Sequence, residues 1–167
     1  FLYLIGLLPL WLLYGLSWLA YPIAYYIVGY RRKVVEGNIA RSFPEMSAEE
    51  QKKTVKKFYV LFCNRFAEIL KLITISPRRL DKRVEFRNIE ILEKYYAEKR
   101  HVLLALAHCG NWEMSILIPS YTKQDVYAVY RPLHNKVFDR LMVHVRSRFD
   151  VKMVADKKVA RHMLSAK

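Results

Sequence analysis

The chain has 167 residues, a length typical of one domain or of one domain with a small appendage. Hydrophobic residues make up 53% of it, and 29 Lys and Arg against 15 Asp and Glu give a net charge of +14. This composition excludes a disordered acidic chain and a collagen-like repeat. The two cysteines, Cys63 and Cys109, are too few for a disulfide framework and lack CxxC spacing, so we expect reduced thiols in a cytoplasmic compartment.

Residues 1–30 contain no charged residue and no histidine. This stretch exceeds the roughly 20 apolar residues that cross a bilayer, and it is too long for a signal peptide. Pro9 and Pro22 can each kink a helix. A basic segment at residues 31–33 follows, so the positive-inside rule places the downstream residues in the cytoplasm. We predict a membrane anchor, spanning or re-entrant, and the alternative is an interfacial or buried helix.

A long helix is predicted over about residues 48–73. Ser47 and Glu50 have the spacing of a capping box, and Pro77 ends the helix. Apolar residues at helical spacing form one face: Val55, Phe58, Tyr59, Phe62, Phe66, Ile69, Leu70 and Ile73. Lysines lie on or beside the opposite face: Lys52, Lys53, Lys56 and Lys57. We interpret them as a solvated surface, with contact to anionic headgroups as the alternative.

Farther along the chain, segments typical of strands alternate with segments of helical periodicity. The predicted strands cover residues 84–86, 102–107, 126–130 and 151–154. The predicted helices cover residues 89–99, 112–121 and 135–149, and a further helix starts over residues 156–164. The unbroken apolar run VLLALA at residues 102–107 is expected to be covered on both faces. This alternation predicts an α/β fold with a mainly parallel sheet and flanking helices.

The most informative segment is LALAHCGNWE at residues 104–113. His108 follows the predicted strand, Gly110 allows a tight turn, and Asn111 suits the N-cap of the next helix. Glu113 falls in the first turn of that helix. Sites in open α/β sheets form beyond the carboxyl ends of strands, and a helix N-terminus offers free N–H groups to an anion. We expect the His108 ring to fold back toward the Glu113 carboxylate, which would make the imidazole a general base for an alcohol.

Alternatives remain open for these residues. His108 can be an ordinary strand-end histidine, and Glu113 can merely suit the helix dipole. Cys109 can act as a nucleophile with His108, although adjacent side chains in an extended segment point apart and a thiolate needs a stabilising environment. Trp112 can pack its helix against the sheet or touch a substrate.

Several stretches together resemble a known family. His108 to Glu113 resembles the H-x4-D/E block of the lysophospholipid acyltransferase superfamily, and the chain most closely resembles the lipid A biosynthesis acyltransferases of the lauroyl/myristoyl type. The resemblance also rests on the N-terminal anchor, on YRRKVVEGN at residues 30–38 leading to SFPE at residues 42–45, on VYRPLHN at residues 129–135, and on Asp139, Arg146 and Arg148. It covers nearly the whole chain in the expected order.

The resemblance implies acyl transfer from a thioester on acyl carrier protein to a hydroxyl of a lipid A precursor, with no cofactor and no metal. It implies that His108 deprotonates the hydroxyl, that Glu113 orients the imidazole, and that Arg146 stabilises the oxyanion. The positions it implies for substrate binding are Asn111, Arg131, Asn135 and Arg148. The alternative for Arg131, Arg146 and Arg148 is that they are surface charges on a basic helix.

The domain organisation implied by the resemblance is a membrane anchor over residues 1–30 and the N-terminal part of a cytoplasmic acyltransferase domain over residues 31–167, at the inner membrane. The chain begins at Phe1 inside an apolar run and stops at Lys167 within a predicted helix. The family is about twice this length. We therefore expect a fragment whose fold is incomplete at its C-terminal side.

Two other functions stay open. One is acyl transfer to another acceptor, such as an ornithine lipid, a glycolipid or a glycerol phospholipid. The other is a basic, non-enzymatic protein that binds nucleic acid or a membrane surface, which the charge of +14 supports generically. No nucleic-acid-binding module is recognisable, and an anionic membrane and a phosphorylated acceptor account for the charge.

Overall fold

The apolar N-terminal residues fold as two helices separated by a proline break. In the computed structural model, which describes residues 1–165, α1 covers Leu2–Leu7 and α2 covers Leu10–Pro22, and a π-helix, Ile23–Ile27, continues α2. Pro9 occupies the N-cap of α2, where its missing N–H costs nothing. Within the described residues, Leu10–Ile27 is the one helical stretch that is long and apolar enough to cross a membrane.

Two further helices complete the N-terminal part of the chain, α3 at Arg32–Ser42 and α4 at Ala48–Leu72. The predicted capping box of α4 is confirmed. The Glu50 backbone N–H donates to Ser47 Oγ over 3.3 Å, and the Ser47 backbone N–H donates to Glu50 Oε2 over 2.8 Å. The predicted helix over residues 48–73 therefore differs from α4 by a single residue at its end.

Helix α4 packs along α2 through small apolar clusters. One cluster is formed by Leu10, Leu13 and Ala67, and another contains Tyr25 and Tyr59. Burial raises the pKa of the Tyr59 phenol, which stays protonated and donates a hydrogen bond to the backbone carbonyl of Tyr30 over 2.6 Å. Residues Phe1–Thr74 form one compact unit by these contacts, and a second compact unit begins at Ile75.

A row of polar contacts, here called the polar seam, also joins α2 to α4. Ser17 Oγ donates to Asn64 Oδ1 over 2.5 Å, and the Tyr14 hydroxyl donates to Glu68 Oε1 over 2.8 Å. Near the proline break, Lys71 Nζ donates to the carbonyl of Leu8 over 2.9 Å. The seam adds hydrogen bonds to the apolar contacts between the two helices.

The second unit contains the sheet. Its elements are α5 at Pro77–Asp81, α6 at Glu90–Ala97, a 3₁₀ helix at Trp112–Tyr121, β1 at Tyr127–Tyr130, α7 at Lys136–Ser147, β2 at Lys152–Ala155, a 3₁₀ turn at Asp156–Lys158 and α8 at Val159–Ser165. Strands β1 and β2 pair in parallel, with Tyr127 opposite Lys152 and Tyr130 opposite Ala155. Helix α7 connects them, as parallel strands require a crossover. The predicted α/β class with a parallel sheet is confirmed.

Two of the predicted strands are wrong. Residues 84–86 and 102–107 form no strand, and the VLLALA run is largely exposed rather than covered on both faces, with Leu103 at 86% exposure. An apolar run becomes a strand only where a neighbouring strand offers its backbone groups, and in the described part of the chain β1 pairs with β2. The predicted helix at residues 112–121 is confirmed, and it is a 3₁₀ helix that contains Pro119, which has no N–H to donate.

Candidate functional site

The segment from His108 to Glu113 turns sharply before the 3₁₀ helix. Gly110 has a φ of +56°, a left-handed conformation that glycine adopts without steric cost. Asn111 occupies the predicted N-cap position, but its side chain makes no capping hydrogen bond there. The turn leaves His108 exposed and carries Glu113 into the interior, where only 4% of the residue is exposed.

Glu113 forms a bidentate ion pair with Arg146 of α7. Arg146 Nε donates to Oε2 over 2.9 Å, and Nη2 donates to Oε1 over 2.5 Å. Only 16% of the Arg146 side chain and 6% of the Glu113 side chain are exposed. A guanidinium matches a carboxylate in this two-bond geometry, and burial makes the pair a fixed part of the second unit.

His108 contacts Trp112 rather than Glu113. The His108 and Trp112 ring centroids are 4.8 Å apart in an edge arrangement, and the Arg146 guanidinium lies 5.0 Å from the Trp112 ring centroid. Both carboxylate oxygens of Glu113 bind Arg146, and among the described residues no hydrogen bond joins the Glu113 carboxylate to the His108 ring. Trp112 therefore contacts both His108 and Arg146, which are two of the three predicted catalytic residues.

An apolar cavity of about 370 Å³ adjoins this cluster. His108, Trp112 and Arg146 line it together with apolar side chains from the VLLALA run and from β1. The volume lies within the range of about 300–1,000 Å³ that is typical of small-molecule sites. The VLLALA residues thus contribute to a cavity wall, although we predicted that they would form a buried strand.

The predicted substrate-binding residues outside this cluster lie elsewhere in the second unit. Asn135 is the N-cap of α7, and its Oδ1 accepts hydrogen bonds from Val137 and Phe138 N–H groups over 3.0 and 3.2 Å. Arg148 Nη2 donates to the Ile75 carbonyl over 3.0 Å. Arg131 is exposed. None of these three predicted residues lines the described cavity, so the structure does not bring them to His108.

The two cysteines have different surroundings. Cys63 is buried in α4, and its burial raises the pKa of its thiol, so it stays protonated at neutral pH. Cys109 is exposed and is not part of the cavity lining. Within residues 1–165, no group of three or more His, Cys, Asp and Glu side chains is arranged to hold a metal ion.

The ion pair between Glu113 and Arg146 is the feature that we did not predict from the sequence. Both residues were predicted to be functional, but not as partners. They are 33 positions apart, and the pattern of a single sequence contains no signal for a pair at that separation.

Comparisons with known proteins give consistent matches. The family described as bacterial lipid A biosynthesis acyltransferase matches residues 1–166. A lipid A biosynthesis acyltransferase of Haemophilus influenzae is 24% identical over 135 residues, which are 81% of this chain and 42% of that protein. A lipid A biosynthesis lauroyltransferase of Escherichia coli is 28% identical over 171 residues, which are 93% of this chain and 55% of that protein.

A third relative, a lipid A biosynthesis myristoyltransferase of Escherichia coli, is 24% identical over 112 residues, which are 67% of this chain and 35% of that protein. The chain thus spans about half, or less, of the length of the curated relatives that it matches. No solved structure matches the chain.

Proposed function

Because this chain belongs to the bacterial lipid A biosynthesis acyltransferase family, we propose that the protein transfers a fatty acyl chain from a thioester on acyl carrier protein to a hydroxyl group of a lipid A precursor. The observation that carries the proposal is that His108 and Arg146 line one apolar cavity. The apolar wall suits an acyl chain, and the two side chains supply a base and a positive charge beside it.

The proposed reaction is a direct attack of the hydroxyl on the thioester. An imidazole nitrogen of His108 takes the hydroxyl proton while the oxygen forms a bond to the thioester carbon. The carbonyl electron pair moves to the oxygen, which gives a tetrahedral oxyanion. When the oxyanion collapses, the carbon–sulfur bond breaks, and the thiolate takes the proton back from His108. No acyl group is attached to the enzyme in this sequence.

Arg146 is proposed to stabilise the oxyanion, and Glu113 is proposed to hold the Arg146 guanidinium in place. The guanidinium borders the cavity and is held rigidly by the Glu113 carboxylate, and a positive charge fixed in place costs no reorganisation during the reaction. Each oxygen of the Glu113 carboxylate can accept a second hydrogen bond, so the carboxylate can accept the N–H of His108 when the ring folds toward it, without releasing Arg146. Glu113 then orients and charge-stabilises the imidazole, as predicted from the sequence.

The remaining predicted residues are proposed to bind the acceptor or to shape the site. Arg131 has an exposed guanidinium at the end of β1 and is suited to a polar or charged acceptor group. Asn111 lies in the turn beside His108. Asn135 and Arg148 are proposed to shape the site, because Asn135 caps α7 and Arg148 binds the Ile75 carbonyl.

We also propose that residues 1–30 attach the protein to the inner membrane and that the residues after them lie on the cytoplasmic side. Leu10–Ile27 is apolar, and large side chains on it are exposed, including Trp11 at 73% and Trp18 at 69%. The basic residues 31–33 that follow favour the cytoplasmic side. A membrane position brings the protein to a lipid acceptor.

The test is an acyl-transfer assay with the full-length protein. Membranes that contain it are incubated with acyl-acyl carrier protein and a tetra-acylated lipid A precursor, and the lipid products are analysed by mass spectrometry. We expect a mass gain of one acyl chain, and we expect H108A to lose at least 100-fold of the rate, as removal of a general base does. The matched control is H101A, because His101 is an exposed histidine that does not line the cavity.

Each other outcome has a defined meaning. No mass gain with a membrane-inserted wild-type protein would contradict the lipid A acceptor and would lead to tests of ornithine lipid, glycolipid and glycerol phospholipid acceptors. An equal gain from H108A would remove His108 from the mechanism. Salt-sensitive binding to membranes without any acyl transfer would favour a non-enzymatic surface protein.

A further inference from the structure

A second cavity, of about 460 Å³, lies at the carboxyl ends of the two strands. Tyr130 and Ala155, which are the last residues of β1 and β2 and lie opposite each other in the sheet, both line it. In open α/β sheets, ligands bind outside the carboxyl ends of parallel strands. The position of this cavity is therefore one where a ligand is expected.

The cavity is basic. Lys158, Arg161 and His162 line it, and their spacing of three and four positions places them on one side of the helical turns that follow β2. None of the described residues that line it is acidic. Neither Lys158 nor Arg161 forms an ion pair within residues 1–165. Two cations without counter-charges beside a cavity attract an anion.

His162 gives an independent indication. Its ring packs against Tyr127, with the two centroids 4.4 Å apart, and its Nε2 atom is buried without a hydrogen-bond partner in the described part of the chain. A buried polar atom left unsatisfied costs free energy, and buried polar groups in proteins are nearly always hydrogen-bonded. Because His162 lines the cavity, a turn of its ring would bring Nε2 to a ligand oxygen there, which would accept the hydrogen bond that Nε2–H can donate.

The two cavities are neighbours, since Met153 of β2 lines both of them. We propose that Lys158, Arg161 and His162 bind a phosphate ester group of the substrate whose acyl transfer takes place in the apolar cavity. A guanidinium donates two parallel hydrogen bonds to phosphate oxygens, and a lysine adds a point charge. The inference rests on the proposed function, and it assigns the phosphate to the lipid A precursor rather than to the acyl donor.

The experiment compares R161Q with the matched control K157Q in the full-length protein. Lys157 is an exposed cation of the same segment that does not line the cavity. Rates are measured with the phosphorylated acceptor and with the same acceptor after enzymatic removal of its phosphates. We expect R161Q to raise the KM for the phosphorylated acceptor about tenfold with little change in kcat, and to leave the dephosphorylated acceptor unaffected. K157Q should match the wild type with both acceptors.

The variant R161K guards against misfolding, because it keeps the charge and should recover part of the affinity. A raised KM for acyl-acyl carrier protein alone would keep the phosphate site but assign it to the donor. Equal loss with both acceptors, or no loss at all, would overturn the inference.

A binding measurement separates this inference from the proposed function. Line broadening of inorganic phosphate in ³¹P NMR is recorded with the wild type, R161Q and K157Q. Broadening that R161Q abolishes and K157Q keeps would support the site even if the wild type transferred no acyl chain to the lipid A precursor. Broadening that is equal in all three proteins would count against the site, whatever the outcome of the acyl-transfer assay.

Discussion

At the scale of single residues, the Glu113–Arg146 pair dominates the candidate site. Its two hydrogen bonds and its burial fix the guanidinium beside the apolar cavity. A buried pair of this kind contributes little net stability compared with apolar residues of similar volume, yet removal of one partner leaves a charge in the interior. Substitution of Glu113 or Arg146 is therefore expected to change both the stability of the protein and its proposed activity.

The first prediction concerns the stability of this pair. We expect R146A to lower the free energy of unfolding by about 3–5 kcal/mol, because Glu113 would stay buried without its partner. The measurement is chemical denaturation of the full-length protein in detergent. The control is R87A, which removes a pair with Glu85 whose side chains are 80% and 73% exposed, and we expect it to cost less than about 1 kcal/mol. Equal losses in the two variants would contradict a buried pair.

The second prediction separates the two roles of Glu113. If the carboxylate acts through His108 during the reaction, E113Q should lower the rate of the wild type but should not lower the residual rate of H108A further. Residues that act as one unit show this non-additivity. The acyl-transfer rates of the wild type, both single variants and the double variant provide the measurement. A further loss in the double variant would mean that Glu113 acts through Arg146 alone.

At the scale of secondary structure, the start of α4 carries a pH-sensitive cap. The Ser47 hydroxyl and then the Ser47 backbone N–H hold the pKa of Glu50 below its ordinary value, since both bind the ionised carboxylate. A carboxyl group with a lowered pKa in the folded state stabilises that state above its ordinary pKa, near pH 4.3. The stabilisation is lost as the pH falls through the lowered value.

The third prediction follows from this lowered pKa of Glu50. At neutral pH, E50A should reduce hydrogen-exchange protection in the first turns of α4 about fivefold, as expected for a lost helix cap. Below the lowered pKa of Glu50, the wild type should become as poorly protected as E50A. The control is E49A, because Glu49 pairs with Lys53 and does not contact the cap. A difference between wild type and E50A that persists at low pH would exclude a role for the charge.

The helices and strands also show which parts of the fold a sequence pattern can predict. Helix α4 was predictable to within one residue because its cap and its periodicity are local. The VLLALA run was not, because an apolar run specifies burial or pairing only together with a neighbour that is distant in the sequence. The helix at Trp112–Tyr121 was predicted with the right bounds, and its 3₁₀ type was not specified by the pattern.

At the scale of the candidate site, the residues that lie together were more predictable than the contacts that each of them makes. His108, Trp112 and Arg146 do share a cavity. The pair of Glu113 with Arg146 was not predicted, because Arg146 is distant from Glu113 in the sequence, and the contact of Glu113 with His108 stays a prediction. Asn135 was predicted to bind substrate, and the cap that it forms on α7 is a structural contact that its position before a helix already suggested.

At the scale of the whole molecule, the fourth prediction concerns membrane attachment. Trp18 lies at the middle of Leu10–Ile27 and is exposed on the surface of α2. A lysine at the centre of an inserted helix costs roughly 2.5–3.5 kcal/mol, so W18K should lower the carbonate-resistant membrane fraction at least tenfold. The control is L164K, because Leu164 is an exposed apolar residue of the second unit. Equal retention of W18K and L164K would contradict insertion of this helix.

The polar seam also determines where the polypeptide can be shortened. Membrane-attached enzymes are often converted to soluble derivatives by deletion of the hydrophobic leader. Deletion of residues 1–30 here would remove Tyr14 and Ser17, the partners of Glu68 and Asn64, and would uncover the buried residue Ala67. Residues 1–30 thus form part of the packing around α4, so a derivative without them would need a redesigned α4 surface and not merely a shorter gene.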